Sequence, residues 1–132
     1  MLGILAKLEE KPLRDMGDNT LSTDIDVMNR NMQTLPDDYI CNMQENQAKR
    51  AVSIHKLYAN LAHLLHFVKP SLIGSVSLRM VELTMSEGIS PTAPLAFAYY
   101  GEMLASMGNI SEGCRFGEFV VWYVQKVHCM WK

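Results

Sequence analysis

The chain has 132 residues, of which 48% are hydrophobic and 20% are charged, and its formal net charge at pH 7 is −2. This length allows one domain with a sizeable core, and this composition is ordinary for a globular protein. The sequence has neither the basic stripe that nucleic-acid binding requires nor a dense acidic tail, so we expect no nucleic-acid partner.

The lengths of the apolar runs and the spacing of the cysteines bear on the cellular compartment of the protein. No apolar run approaches the roughly 18 to 20 residues that span a bilayer, and the N-terminal run is too short for a signal peptide and has no basic residues before it. Cys41, Cys114 and Cys129 are widely spaced and form no C-x-x-C motif, which argues against a disulfide framework or a zinc ribbon. We therefore expect a cytoplasmic protein without membrane insertion and with reduced cysteines.

The first 36 residues differ in composition from the rest of the chain. They contain Lys11-Pro12, then Gly17-Asp18-Asn19-Thr20, then scattered Asp and Asn as far as Leu35-Pro36, and their apolar residues recur with no sustained period. Such a composition is typical of a loosely ordered segment. We predict a poorly ordered N-terminal arm over 1–36, with one or two helical turns at most, ahead of a helical domain over 37–132.

Asp37 or Asp38 can cap a helix, and a long first helix is predicted to have begun by Asn46 and to extend to Pro70. Apolar residues recur in it at steps of three and four, which is the spacing of one helix face. Pro70 ends this helix or begins the next, because proline is tolerated in the first turn of a helix and not in its interior. The residues of the apolar face are Ile54, Leu57, Leu61, Leu64 and Val68.

The predicted second helix, over 70–87, has two apolar faces. Leu72, Ile73, Val76, Met80 and Leu83 form one face, and Leu78, Val81 and Met85 form a nearly opposite one. A surface helix needs a single apolar stripe. We therefore predict that this helix is packed between neighbours on both sides, as in an α-solenoid.

The predicted third helix begins after Gly88, which is a natural helix stop. Thr92 is the preferred cap and Ser90 the alternative, because a cap at Thr92 places Pro94 in the first turn, where it is tolerated. This helix is almost wholly apolar as far as about Met107. We expect it to be buried on every side.

The predicted fourth helix follows Gly108, begins at Asn109 or Ser111 and extends to about Met130. A strand over 120–124 is the alternative by β-propensity, but the sequence offers no second strand to pair with it. Glycines at 113 and 117 lie inside this helix, where each costs about 1 kcal/mol relative to alanine. We expect these two glycines to let helices approach each other closely.

Three histidines of the first predicted helix are the candidate metal ligands. His63 and His66 are three residues apart, a spacing at which two histidines can share a metal ion. No carboxylate lies at ligand spacing, and these residues and His55 project away from the apolar stripe. We interpret them as a solvated face or an inter-helix contact, and we expect no bound metal.

Few residues of the chain are candidates for a nucleophile or a general base. Cys114, Cys129 and His128 are the candidates, but sequence neighbours such as His128 and Cys129 project from different sides of a helix. Buried cysteines that act as small apolar residues explain these positions more simply. No phosphate-binding glycine loop follows a strand. We therefore expect no cofactor and no catalytic activity.

Four aromatic residues of the last two predicted helices are the candidate partner-binding residues. Tyr99, Tyr100, Trp122 and Trp131 have the large rigid side chains that commonly anchor protein interfaces. Each of them can instead serve as a core or capping residue, and that alternative stays open at this stage.

Part of the chain is similar to the tetratricopeptide repeat. The similar stretch reads Gly101-x6-Gly108-Asn109-Ile110-x2-Gly113, followed by Phe116-Gly117 and Val120. In that repeat, a small residue of the second helix crosses a glycine of the first. The resemblance implies two antiparallel helical hairpins. Gly117 departs from the aromatic residue usual there, and the two helices over 46–87 are longer than the roughly 34-residue repeat allows.

A second resemblance covers about residues 55–125. It is carried by Leu78-Arg79-Met80-Val81-Glu82-Leu83-Thr84-x3-Gly88-Ile89-Ser90-Pro91, by Ala96-Phe97-Ala98-x-Tyr100-Gly101, and by Gly108-Asn109-x3-Gly113-x2-Phe116-Gly117. These motifs resemble the helical-repeat segment of large signalling ATPases. In that family, kinase-like and AAA-type (STAND-like) ATPase domains precede the segment, and GAF and histidine-kinase domains often follow it.

This second resemblance implies a non-catalytic relay or scaffold that contacts a protein partner or neighbouring domains of a larger signalling protein. The sequence contains no Walker A motif, kinase catalytic loop or histidine-kinase nucleotide-binding motif. We therefore do not expect this chain to have the enzymatic activities of the family's full-length proteins. The alternative is an accessory fragment of an ATP-dependent serine/threonine or histidine kinase, without autonomous activity.

Overall fold

The structure, a computed structural model, describes residues 13–36, 39, 43 and 49–130, with side chains of the last helix described as far as Lys126. Its helices are α1 (Asn19–Gln33), α2 (Lys49–Val68), α3 (Ile73–Glu87), α4 (Ala93–Ser106) and α5 (Ile110–Met130), with a 3₁₀ turn at Pro70–Leu72. The predicted all-α fold class is confirmed for this part of the chain. None of these helices is long and apolar enough to cross a membrane.

Prolines and glycines set the breaks between the helices. Pro70 begins the 3₁₀ turn, and Pro94 lies in the first turn of α4. Gly88 and Gly108 have φ angles of 108° and 97°, in the left-handed region that favours glycine. The helix ends predicted at these residues are confirmed, and so is the start of α4 directly after Thr92.

Helix α1 corrects the prediction of a loosely ordered arm. It begins after Asp18, whose carboxylate accepts a hydrogen bond from the Thr20 amide at 2.8 Å. Its buried residues recur at steps of four and three, a helix period that the surrounding Asp and Asn residues had concealed. Residues 1–12 lie outside the described residues. The buried positions of α1 are Leu21, Ile25, Asn29 and Met32.

Helix α3 is packed on both of its apolar faces, as predicted. Val76 and Met80 on one face and Leu78 and Val81 on the other are at most 1% exposed. α3 contacts α1, α2 and α4, and Leu78 borders α1. Part of the second apolar face is therefore covered by the very helix that the sequence had not predicted.

Helix α4 is not buried on every side, contrary to the prediction. Phe97, Tyr100 and Leu104 are completely enclosed, but the opposite side of the helix faces solvent. An apolar composition does not by itself imply burial, because folded proteins expose much apolar surface. The exposed residues of this side are Leu95, Ala98, Glu102 and Ala105.

Helices α4 and α5 pack against each other in opposite chain directions. Gly101 lies against Gly113, whereas Phe97, one turn earlier, stacks on Phe116 with ring centroids 5.5 Å apart. Phe97 also meets the Phe119 ring edge-on at 4.8 Å. Such aromatic contacts stabilise a core beyond their buried area, so they add to the stability of the α4–α5 pair.

Candidate interaction surfaces

Tyr100, one of the four aromatic candidates, is not available as an anchor. Tyr100 is 0% exposed, and its ring lies edge-on to Phe116 at 5.2 Å. It faces α5 rather than solvent, so its proposed role as an exposed anchor is wrong. Burial, together with the nearby Glu112 carboxylate, raises the pKa of Tyr100 above its ordinary value. Trp131 lies outside the described residues.

The other two aromatic candidates are partly accessible. Tyr99 is half-buried and lines a cleft between helices. Trp122 is 36% exposed, but its ring stacks near Phe119 and the Lys126 ammonium lies 5.0 Å from its centroid. Tyr99 therefore takes part in a concave site, whereas Trp122 lies at the edge of the packed face of α5.

The cleft beside Tyr99 has a volume of about 190 Å³ and opens between the end of α2, the start of α3 and the second half of α4. Its lining is apolar at the base, with one carboxylate, one imidazole and two hydroxyl groups around it. The sequence did not indicate this cleft, because its residues are far apart along the chain. The lining residues are Met16, His66, Pro70, Ile73, Gly74, Tyr99, Glu102, Met103 and Ser106.

Two methionine thioethers cover the α3 backbone at the base of the cleft. A Cβ on Gly74 would overlap Met16 Sδ and would lie 3.0 Å from Met103 Sδ. Met16 is held in place because its amide donates to the Ser71 carbonyl at 3.1 Å. The Arg14 amide likewise donates to Ser75 Oγ at 3.1 Å. Residues 14–16 are thus tied to the start of α3.

The end of α2 beside the cleft exposes large apolar side chains. Phe67 and Val68 are 76% and 72% exposed. The Phe67 ring is flanked edge-on by His66 at 5.5 Å and by His63 at 5.9 Å. His63 and His66 are exposed, as predicted for a solvated face. Within the described ranges, no group of three His, Cys, Asp or Glu side chains is placed to hold a metal ion.

His55 is 1% exposed and contacts residues of α3 and of the turn before α4. Of the two interpretations of the histidines, the inter-helix contact therefore applies to His55 and the solvated face does not. Thr84 Oγ1 donates to the Met80 carbonyl at 2.9 Å and lies 3.1 Å from His55 Nε2. This geometry assigns the proton to Nε2, which donates to Thr84, and leaves Nδ1 to accept from the Thr92 hydroxyl. Thr92 Oγ1 lies 3.2 Å from Ser90 Oγ.

The His55 network joins α2, α3 and the turn before α4. Thr92 directs its hydroxyl to His55 and does not cap α4 with its side chain. Burial lowers the pKa of His55 to about 4, so the imidazole is neutral at pH 7. A neutral imidazole enclosed among hydroxyl groups, with no access for a substrate, stabilises the fold and offers no catalytic base.

The outer face of α5 carries a second exposed apolar surface, which we call the α5 stripe. Its members lie at alternating steps of four and three, the spacing of a helix–helix seam. Ile110, Val121 and Val124 are 64%, 57% and 55% exposed. α4 packs on a different side of α5, the side that carries Gly113 and Phe116. The members of the α5 stripe are Ile110, Cys114, Gly117, Val121 and Val124.

Two residues of the α5 stripe correct earlier expectations. Cys114 is exposed, not buried as a small core residue. A Cβ on Gly117 would meet no atom within 4 Å, whereas a Cβ on Gly113 would lie 2.7 Å from the Gly101 carbonyl oxygen. Gly113 therefore permits the predicted close approach of two helices, and Gly117 does not. The four-three spacing could have been read from the sequence, but it did not say which side faces solvent.

Comparisons of this chain with protein-family models, with curated proteins and with solved structures found no match. The surfaces described above are therefore interpreted from their own geometry and chemistry.

Proposed function

We propose that this chain is a non-catalytic helical interaction module that binds an amphipathic helix of a protein partner on the α5 stripe. The observation that carries the proposal is the row of exposed apolar residues at seam spacing on one side of α5. A partner helix with apolar residues at the same spacing would bury this row, as in helix–helix recognition. Because Gly117 has no side chain, the backbone of a partner helix can approach α5 closely at this position.

The tetratricopeptide-like arrangement belongs to the same proposal. Under it, α2 with α3 and α4 with α5 would form two helical hairpins, and the α5 stripe would be the surface on which a further helix stacks. The antiparallel α4–α5 pair and its Gly101–Gly113 contact support this arrangement. The partner would be a separate protein or a neighbouring domain of a larger signalling protein in the cytoplasm.

Site-specific photocrosslinking in cells tests the α5 stripe. We would place p-benzoylphenylalanine at Val121 or, as a matched control, at Lys126, which is exposed and lies about 140° around α5 from Val121. We expect a covalent adduct from position 121 that maps to the apolar face of a partner helix and disappears with Val124→Asp. Equal adducts from both positions would overturn the proposal. An adduct to a second copy of this chain would replace the partner with a homodimer.

The alternative function is an accessory fragment of an ATP-dependent kinase. Two hairpins are fewer than the about three repeats that a helical array usually needs for stability, which favours this alternative. A cooperative thermal transition of the full chain, followed by circular dichroism, would support an independently folded module. A broad, non-cooperative transition would support the fragment.

A further inference from the structure

We propose that the cleft beside Tyr99 binds an arginine side chain presented by a partner protein, with Glu102 as the counter-ion. This site lies on the side of the molecule formed by α2, α3 and α4. It is separate from the α5 stripe and does not depend on the function proposed for that stripe.

The charge of the cleft favours a cation. Of the described residues that line the cleft, Glu102 is the carboxylate and none is a lysine or an arginine. Among the described residues, Glu102 makes no salt bridge. Lys69, which directly precedes Pro70 of the cleft, lies 3.9 Å from the Asp15 carboxylate. A positively charged group from outside is therefore the complement that this surface lacks.

The apolar part of the cleft favours a long side chain over a small free cation. Ile73 and the thioethers of Met16 and Met103 offer a base on which an aliphatic stem can pack. A volume of about 190 Å³ admits one side chain rather than a whole helix. The cleft therefore fits a side chain with an apolar stem and a charged end.

The aromatic lining favours arginine over lysine. Tyr99 and His66 both line the cleft, and a planar, weakly hydrated guanidinium stacks on aromatic rings better than an ammonium does. Phe67, 76% exposed and in contact with the His66 ring, extends the apolar surface beyond the cleft. That extension gives a partner protein, rather than free arginine, additional area on which to dock.

Methionine-methyl NMR of the full chain tests the proposal. Carbon-13 methyl labels on Met16 and Met103 report on the cleft, and Met80, which is 0% exposed, serves as the internal reference. The probe is Nα-acetyl-arginine amide, and the matched control is Nα-acetyl-citrulline amide, which has the same shape without the charge. We expect saturable shifts of the two cleft methyls with the arginine probe, and about three- to fivefold weaker binding of citrulline, as an exposed ion pair gives.

Two substitutions test whether Glu102 causes the preference for the arginine probe over the citrulline probe. Glu102→Gln should abolish the preference for arginine over citrulline, whereas Glu118→Gln, also exposed but on α5, should leave it intact. Val124→Asp should abolish photocrosslinking from position 121 of the α5 stripe and leave this titration unchanged, so the two proposals fail separately. Equal binding of citrulline, equal or tighter binding of Nα-acetyl-lysine amide, no saturable shift, or an unchanged preference in Glu102→Gln would each overturn the arginine site.

Discussion

A Cβ atom on Gly113 would lie 2.7 Å from the carbonyl oxygen of Gly101, and a Cβ on Gly101 would lie 3.0 Å from the carbonyl oxygen of Gly113. The backbones of α4 and α5 therefore touch at this point. The contact also sets the distance at which Phe97 and Phe116 stack. The α4–α5 pair thus depends on two positions where no side chain fits.

Gly113→Ala should destabilise the protein, because neither backbone can move away from the new methyl group without disturbing the aromatic core. We expect a loss of about 1–3 kcal/mol in the free energy of unfolding, the usual cost of overpacking. Gly117→Ala is the matched control on the same helix and should stabilise by up to about 1 kcal/mol, since its Cβ faces open space. Urea denaturation measures both. Effects of the same sign would contradict the close contact.

Leu78→Ala tests the packing of the second apolar face of α3. Leu78 is 1% exposed, so truncation should leave a cavity and cost about 2–5 kcal/mol. Leu64→Ala, at a residue that is 50% exposed, should change the free energy of unfolding by less than about 0.5 kcal/mol. If the two variants unfolded at the same urea concentration, α3 would not be enclosed on that face.

The buried imidazole of His55 should make stability fall in mild acid. Burial lowers the pKa of His55 to about 4 in the folded protein, from its ordinary value of 6.5. Above pH 6.5 the imidazole is neutral in both states and contributes no pH dependence. As the pH falls from 6.5 to 4, the unfolded chain binds a proton that the folded protein excludes, so the protein loses up to about 3 kcal/mol.

Urea denaturation across this pH range measures that loss. His55→Gln should flatten the slope between pH 6.5 and pH 4, even though the variant is itself less stable. His63→Gln, at an exposed histidine of the same helix, should keep the wild-type slope. A slope that survives in His55→Gln would assign the pH dependence to other groups.

Arg115 should hold the end of α1 against α5. Its Nη1 donates to the Met32 carbonyl at 3.0 Å and its Nη2 to the Leu35 carbonyl at 3.1 Å. Arg115→Met should cost about 2 kcal/mol, because charge-assisted hydrogen bonds are lost, and should speed hydrogen exchange in α1 more than in α4. Arg115→Lys should rescue little, since an ammonium cannot reproduce the planar fork that reaches both carbonyls. Wild-type exchange in both variants would contradict this role.

Local chemistry made most of the helix boundaries predictable. Pro70, Pro94, Gly88 and Gly108 act through fixed φ angles or missing side chains, and these effects need no tertiary partner. The two apolar faces of α3 were predictable for the same reason, because the spacing of apolar residues is a property of the helix itself. Helix α1 was missed because its few apolar positions lie among Asp and Asn residues that are typical of loops.

The exposed surfaces and the cleft were much less predictable from the sequence than the helix boundaries. Tyr99 and Tyr100 are sequence neighbours of the same type, yet Tyr100 is enclosed and Tyr99 lines the cleft. Their positions on the helix differ by about 100°, and the sequence does not state which direction points to α5. The cleft is harder still, because it joins Met16 to residues of α2, α3 and α4.

Neighbours one to four residues away made the ends of α2, α3 and α4 and the two apolar faces of α3 readable from the amino-acid sequence. Packing between helices explains why α1 covers part of α3, why His55 is buried and why one side of α5 is exposed. Those outcomes depend on which helices meet in space. Contacts between residues far apart in the chain determine that arrangement, and no local pattern encodes it.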